Sequence, residues 1–456
     1  MTAPEAASTE PKNPAAPRPS WREGLAVYLQ RRVLIVMLLG FSSGLPLALS
    51  GSTLLVWMRE SGVDLGTIGL FALVGTPYTL KFLWAPLVDA LHVPFFTRTF
   101  GRRRGWLVFS QLLLIVATLL LALTDPARSP LFVALGALLV AAMSSTQDIV
   151  VDAFRVESLP ESEQAAGMAS YVAAYRIGML VSTAGALFMV SAFEGTGIAR
   201  SSAWMWGYVT MAAMVLIGTV TALFATEPEQ SARAEAATRA ETAFARVMHA
   251  AIGAFSEFLA RRDAWAALAF VVLFKFTDAF SGTMTAPFVI DLGFSRNDYA
   301  AIVKGVGLAA TLIGGFAGGF VARRYSLGVS LWTGGVLQAI ANLSFSWLAI
   351  VGVNQWALAF AITAENFTSA IGTVIFVAYL SALCQNPLHT ATQYALLTAL
   401  AAVGRTYLSS GAGYVAKATG WPLFFAICVV VAVPSLILLA WLQRRGHFAA
   451  LETAKV

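Results

Sequence analysis

Residues 131–154 read LFVALGALLVAAMSSTQDIVVDAF, a run of membrane-spanning length that begins wholly apolar and ends with two aspartates, Asp148 and Asp152. A hydrocarbon core takes roughly 20 residues of helix to cross. A charge held at its middle costs roughly 3 kcal/mol or more, so such residues persist where they face a protein interior or a water-filled path. This stretch is therefore expected inside a helix bundle, beside a path. Eleven further apolar runs lie near 33–57, 66–90, 106–123, 165–190, 204–224, 264–290, 299–322, 327–350, 355–383, 392–415 and 421–442. With 58% apolar residues, 12% charged residues and a mean hydropathy of +0.73, the composition is that of an all-α polytopic membrane protein and excludes a soluble catalytic domain.

Orientation follows from lysine and arginine, which translocated loops avoid. One side collects Arg18, Arg22, Arg31, Arg32, Arg98, Arg102, Arg103, Arg104, Arg155, Arg261, Arg262, Arg324, Arg444 and Arg445. The loops of the other side hold only Arg59, Arg128, Arg200, Arg296 and Lys417. Both termini are expected to be cytoplasmic. The layout reads as a disordered N-terminus with a short amphipathic lead-in (1–32), a six-helix bundle (33–224), a linker (225–263), a second six-helix bundle (264–442) and a cytoplasmic tail (443–456). In the linker Phe244, Val247, Met248, Ile252, Phe255 and Leu259 recur at helical spacing, which predicts an amphipathic helix. Arg31-Arg32 is a poor export signal, because the following run is too long and no small-residue cleavage site ends it. The two cysteines and four histidines have no metal-site spacing, so neither metal nor cofactor is expected.

The halves resemble each other. Ser61-Gly62-Val63-Asp64 leads to Gly75 after the first span, and Leu292-Gly293-Phe294-Ser295 leads to Gly307 after the seventh. Gln164 precedes Arg176 by twelve residues, as Gln393 precedes Arg405. Weak symmetry of six plus six spans is expected of a transporter of the major facilitator type. In that arrangement spans one, four, seven and ten line a central path, two, five, eight and eleven flank it, and the rest face lipid.

Asp89, then Gly101-Arg102-Arg103-Arg104-Gly105, is similar to the major facilitator loop whose carboxylate and arginines pair in one conformation and part in the other. Ala90 stands where that loop commonly has a basic residue, and the spacing is stretched. Positive-inside anchoring alone also explains the arginines, though not Asp89. Asp152, Arg155 and Glu157 join this group either as partners or as solvated charge.

The deep charges are Lys81, Asp148, Asp152, Arg176, Lys275, Asp278, Lys304, Glu365 and Arg405. Each reads either as a static pair gluing helices or as part of the path; Lys275 and Asp278, three apart, can neutralise each other. Arg176 and Arg405 occupy equivalent places in the two halves, as a two-sided anion clamp requires, and guanidinium grips carboxylates bidentately. Asp148 and Glu365, with Asp278, are the candidates for proton coupling, since a carboxylate between a dry wall and a cation changes its proton occupancy when substrate arrives. Lys81, Lys275 and Lys304 add cations for the substrate. Gln147 and Asn366 can bond hydroxyls or amides or bridge helices, and Tyr78, Trp84 and Tyr175 can stack on a sugar or pack. No catalytic residue is assigned, because Asp148 and Asp152 are the nearest approach to an acid pair.

Gly40-Phe41-Ser42-Ser43-Gly44-Leu45-Pro46-Leu47-Ala48-Leu49 resembles the first-span signature of the AmpG muropeptide permeases. The likeness continues at Lys81-Phe82-Leu83-Trp84, Gln147-Asp148-Ile149-Val150, Tyr175-Arg176-Ile177-Gly178, Asp278-Ala279-Phe280, Glu365-Asn366 and Val403-Gly404-Arg405. Thr97-Arg98-Thr99-Phe100 lengthens the loop relative to the family, and the extra C-terminal spans of some members are not expected. The resemblance implies proton-driven import across the bacterial inner membrane of N-acetylglucosaminyl-1,6-anhydro-N-acetylmuramic acid, with or without its peptide. It further implies a role in peptidoglycan recycling and, where β-lactamase is inducible, in antibiotic resistance. Relatives that import siderophores or move acetyl-CoA leave another anionic solute as the alternative. A monomer in the lipid bilayer, with protons and a glycopeptide as partners and no nucleic acid, is expected.

Overall fold

The computed structural model describes residues 26–228, 259, 261–383 and 390–453, and all regular structure there is helical. The chain is a multi-pass membrane protein of the twelve-helix type. Its spans are α1 (Arg31–Glu60), α2 (65–90), α3 (Arg102–Ala122), α4 (Pro130–Ser158), α5 (161–195), α6 (Arg200–Phe224), α7 (Ala264–Asp291), α8 (296–324), α9 (Leu327–Val351), α10 (Gln355–Leu383), α11 (390–419) and α12 (Trp421–Arg444). The short α13 (His447–Thr453) follows. The expected helix of the linker falls on 244–259 and, like the N-terminal residues 1–25, lies outside the described residues apart from Leu259.

Ten of the described helices are long and apolar enough to cross a membrane, whereas α2 and α11 are broken. In α2, tight 3₁₀ turns occupy Phe71–Gly75 and Lys81–Leu83. Pro77 has no N–H to give, and the Leu73 carbonyl that it would have served accepts from the Thr76 hydroxyl at 2.6 Å. In α11 a 3₁₀ turn spans Leu408–Gly411, where the Ser410 hydroxyl donates to the Tyr407 carbonyl at 2.6 Å. Two more spans widen into π turns, α5 at Val181–Gly185 and α8 at Tyr299–Val306. These irregular stretches all fall on the spans expected to flank the path, and such turns re-aim side chains without ending the helix.

Packing repeats after a shift of six. α1 packs on α5 and α6, and α3 on α4 and α6; α7 packs on α11 and α12, and α9 on α10 and α12. Between α1 and α5 the backbones touch: a Cβ on Gly40 would stand 2.6 Å from the Tyr171 carbonyl oxygen, and one on Gly44 would overlap that of Tyr175. Small residues allow this approach, and dispersion between the close backbones holds the helices together in lipid. Gly44→Val is therefore expected to lower stability by about 1–3 kcal/mol or more through overpacking. A thermal midpoint for the purified variant equal to the parent's would contradict that account.

The halves meet through α2 with α11, α5 with α8, and the end of α1 with α7. At the arginine-poor end their buried apolar side chains form one cluster, with Leu49, Trp57, Ile68 and Tyr208 of the first half and Met284, Phe288, Tyr299 and Phe424 of the second. Toward the arginine-rich end that cluster gives way to separate ones. Leu39, Leu107, Val150 and Phe154 belong to the first half, and Phe270, Leu331, Phe376 and Leu439 to the second. Among the described residues the halves thus share one apolar core at one end and have separate cores at the other.

Candidate substrate-binding site

Between the halves lies a cavity of about 580 Å³ walled by α1, α2, α5, α7, α8, α10 and α11. That is a size which encloses a small organic ligand. Its charged wall residues are Arg176 on α5, Lys304 on α8, Glu365 on α10 and Arg405 on α11. Among the described residues three cations face one carboxylate, so the cavity has an excess of positive charge for an anion. Arg176 and Arg405 come from opposite halves, and Tyr175 feels the charge of both. Lys304 stands on the π turn of α8, with its ammonium 5.4 Å from the centre of the Tyr299 ring. Asn366 donates to Glu365 at 2.8 Å and to the Ile362 carbonyl at 3.0 Å, and accepts from the Thr311 hydroxyl at 3.2 Å. Tyr78 completes the set of expected residues found on the wall.

The other expected residues stand elsewhere. α4 contributes nothing to the cavity wall, contrary to its expected place among the lining spans, while the flanking α2, α5, α8 and α11 do line it. The reason is the direction in which α4 points its polar face. Asp148 is buried against α1, where it accepts from the Ser43 hydroxyl, and Tyr171 donates to that same hydroxyl at 3.3 Å. Lys81 and Asp152 are near enough to act on its charge. Gln147 is fully buried with no partner for its amide among the described residues, Trp84 donates to the Thr146 hydroxyl at 3.1 Å and ties α2 to α4, and Tyr175 packs on Gly44.

Lys275 and Asp278 also lie off the wall. They pair at 3.0 Å; Lys275 donates to Thr373 at 3.0 Å and Asp278 accepts from Ser369 at 2.7 Å, so the group bolts α7 to α10. Removing one partner of such a pair strands the other, while an apolar replacement of both is tolerated. Asp278→Asn is expected to cost about 1–3 kcal/mol, and Lys275→Met with Asp278→Leu to recover most of it with transport intact. Loss of uptake in a well-folded double variant would instead give the pair a part in transport.

At the arginine-rich end Glu157 of α4 receives Arg102 at 3.2 Å and Arg103 at 2.5 Å. Arg104 donates to the carbonyls of Ala222 and Leu223 at the end of α6. Glu227 caps α3, accepting from the backbone N–H groups of Arg103 at 2.8 Å and Arg104 at 2.9 Å, where an anion meets the positive helix end. Gly101 allows this with φ +94°, and a Cβ there would run into the Glu227 carboxyl. Arg155 pairs with Asp152 at 3.8 Å one turn back. The Asp89, Gln164 and Gln393 side chains lie outside the described residues.

The sequence profile of the Major Facilitator Superfamily matches residues 36–407. The chain is 39% identical over 416 residues to the anhydromuropeptide permease of Escherichia coli K12, covering 91% of this chain and 80% of the relative. The chain belongs to the AmpG permease family of the major facilitator superfamily. It is a membrane transporter and not an enzyme. Another family member, "Putative transporter AmpG 4" of Rickettsia felis, is 34% identical over 92% of this chain and 98% of its own length. Among solved structures, the nucleoside transporter NupG superposes with a TM-score of 0.69 at 12% identity over 92% of this chain and 99% of its own. The D-xylose-proton symporter gives 0.64 at 13% identity over 90% and 97%. These two show the fold alone.

Charge counting in the sequence found Arg176, Lys304, Glu365 and Arg405 but missed Tyr299, Thr283, Ser50 and Ser409, which also wall the cavity. Tyr299 and Ser409 sit on the irregular turns of α8 and α11, and a turn signalled only by a scattered Gly, Pro or Ser does not say which neutral residues it aims inward.

Proposed function

We propose that this chain imports anhydro-muropeptides, N-acetylglucosaminyl-1,6-anhydro-N-acetylmuramic acid with or without peptide, by proton symport and alternating access. The observation that carries this reading is the cavity in which Arg176 and Arg405 approach from opposite halves with Lys304 beside them. Such a substrate offers carboxylates to the guanidinium forks and hydroxyls and acetamides to Asn366 and the neutral wall. The name of the Escherichia coli relative, 39% identical, supports the same solute.

The protein then lies in the bacterial inner membrane as a monomer, with the arginine-rich end and both termini in the cytoplasm. Residues 33–224 and 264–442 are its two bundles, 225–263 the linker and 443–456 the tail. The arginine-rich end of the cavity is where substrate leaves, and Arg102, Arg103 and Arg104 exchange partners as that end closes. The solute feeds peptidoglycan recycling and, where β-lactamase is inducible, its induction.

The test is uptake by proteoliposomes of labelled anhydro-muropeptide under an imposed pH gradient, acid outside. Concentrative uptake that collapses with a protonophore is expected. Absence of uptake, beside gradient-driven uptake of a siderophore or acetyl-CoA in the same vesicles, would replace the substrate; a leak that dissipates the gradient without accumulation would replace the mechanism.

A further inference from the structure

The loops of the arginine-poor end hold few bases, and the structure spends several of them across the seam between the halves. Arg296, at the start of α8, is 7% exposed and reaches two carboxylates of the other half, Glu60 at the end of α1 at 2.6 Å and Glu194 at the end of α5 at 2.7 Å. Its guanidinium also lies 5.7 Å from the centre of the Trp204 ring on α6, whose indole N–H donates to Glu60 at 3.1 Å. Arg200 holds the far side of Glu194 at 3.1 Å, so the charges alternate along a chain of four. Beside this chain Arg59 of α1 pairs with Asp291 of α7, which also accepts from the Trp421 indole at 3.0 Å. On the remaining side Lys417 of α11 meets Asp64 at 3.4 Å, and the Thr67 hydroxyl beside Asp64 holds its carboxyl below the usual carboxylate range.

We propose that Arg296 is the gating residue of the arginine-poor end, closing the path there by clamping Glu60 and Glu194 across the seam, with Arg59–Asp291 and Lys417–Asp64 as lighter latches on either side. The assignment goes beyond the substrate and does not depend on it. A planar guanidinium with several donors can take two carboxylates at once, which makes it suited to bridging two helices of one half from a third in the other. Little of this is available to water: Glu60 is only 11% exposed at its side chain and Arg296 7%, so the pairs are screened far less than surface ones. A gate must also open. Parting the halves at this end returns both carboxylates and the guanidinium to water, so hydration offsets the lost pairs and keeps the two states close in free energy. An apolar seam alone would have no such compensation.

The same seam contains a backbone contact that fits a surface made to separate and rejoin. Along α2 and α11 a Cβ on Gly69 would lie 2.8 Å from the Gly413 nitrogen, so this contact has no interlocking side chains to disengage. The Thr79 and Thr406 hydroxyls bond at 3.1 Å at its inner limit, beside Arg405.

The experiment uses the full chain in membranes, with Cys384 and Cys428 replaced by Ser and a reporter Thr283→Cys on the cavity wall. A membrane-impermeant thiol reagent is applied from each side separately, without substrate. Arg296→Gln is expected to raise the labelling rate from the arginine-poor side by about fivefold or more and to lower it from the other side, as a population shift requires. Glu194→Gln, which leaves the Glu60 contact in place, should move the rates in the same directions by about twofold and serves if the arginine variant does not reach the membrane. In a second arm Arg59→Cys with Asp291→Cys is oxidised to a disulfide across the seam; uptake should stop and return on reduction. Rates that do not respond to either variant, or uptake that survives the cross-link, overturn the proposal, because a permanent weld would give both.

Discussion

Arg176→Lys and Arg405→Lys should each weaken binding of an anionic muropeptide by about tenfold to a hundredfold, although neither changes the charge of the cavity. The argument is geometric. Two directed hydrogen bonds to a carboxylate become one from a flexible stem, and a bond to a charged group is worth about 1.5–3 kcal/mol, so losing one is felt at that scale. In the structure the two side chains reach the cavity from α5 and α11, on opposite halves, and among the described residues neither is paired with a carboxylate of the protein; both are free to serve the solute. The measurement is affinity in purified protein for the anionic muropeptide and for an analogue whose carboxylates are amidated. A loss confined to the anionic ligand carries the clamp. Equal loss for both ligands would leave the arginines as positions of packing, and a variant that binds both as the parent does would remove them from the site.

The fold was legible because hydrophobic length and charge are long-range averages that a span cannot evade. Asp148, Arg176 and Glu365 had to face inward in any arrangement of these helices, and each is found inside the bundle. What the averages could not separate was inward against another helix from inward against the cavity. Asp148 and Glu365 look alike in sequence, each deep in a span with an amide neighbour, yet Asp148 is closed off by Ser43 and Tyr171 whereas Glu365 opens on the cavity with Lys304. The difference is made by the Gly40 and Gly44 contact that draws α1 onto α5, a pairing of residues more than a hundred positions apart. The seam at the other end was hidden for a different reason. In sequence Arg59, Arg296 and Lys417 are loop bases whose count sets orientation, and nothing local places beside them the acids they meet, Glu60, Glu194, Asp291 and Asp64, each of which comes from the other half of the chain.

That distinction between the two acids decides which one should carry the proton. Glu365→Gln is expected to abolish gradient-driven accumulation while downhill exchange of muropeptide continues, and Asp148→Asn to reduce transport in both modes together. Coupling requires that substrate and proton sense each other. Glu365 shares the cavity wall with Lys304. An anionic substrate that engages Lys304 removes the cation favouring a charged carboxylate, so anion and proton enter as a pair, which is the sign symport needs. Asp148 has no part of the wall, and its hydrogen bond with Ser43 lies in the contact of α1 with α5 and α4, so its loss should disturb the moving parts rather than the linkage. Counterflow and pH-driven uptake, measured on the same proteoliposomes, separate the two. Accumulation that persists in Glu365→Gln, beside exchange without accumulation in Asp148→Asn, would transfer the proton to the acid outside the cavity and require that coupling run through the packing of α1 on α5.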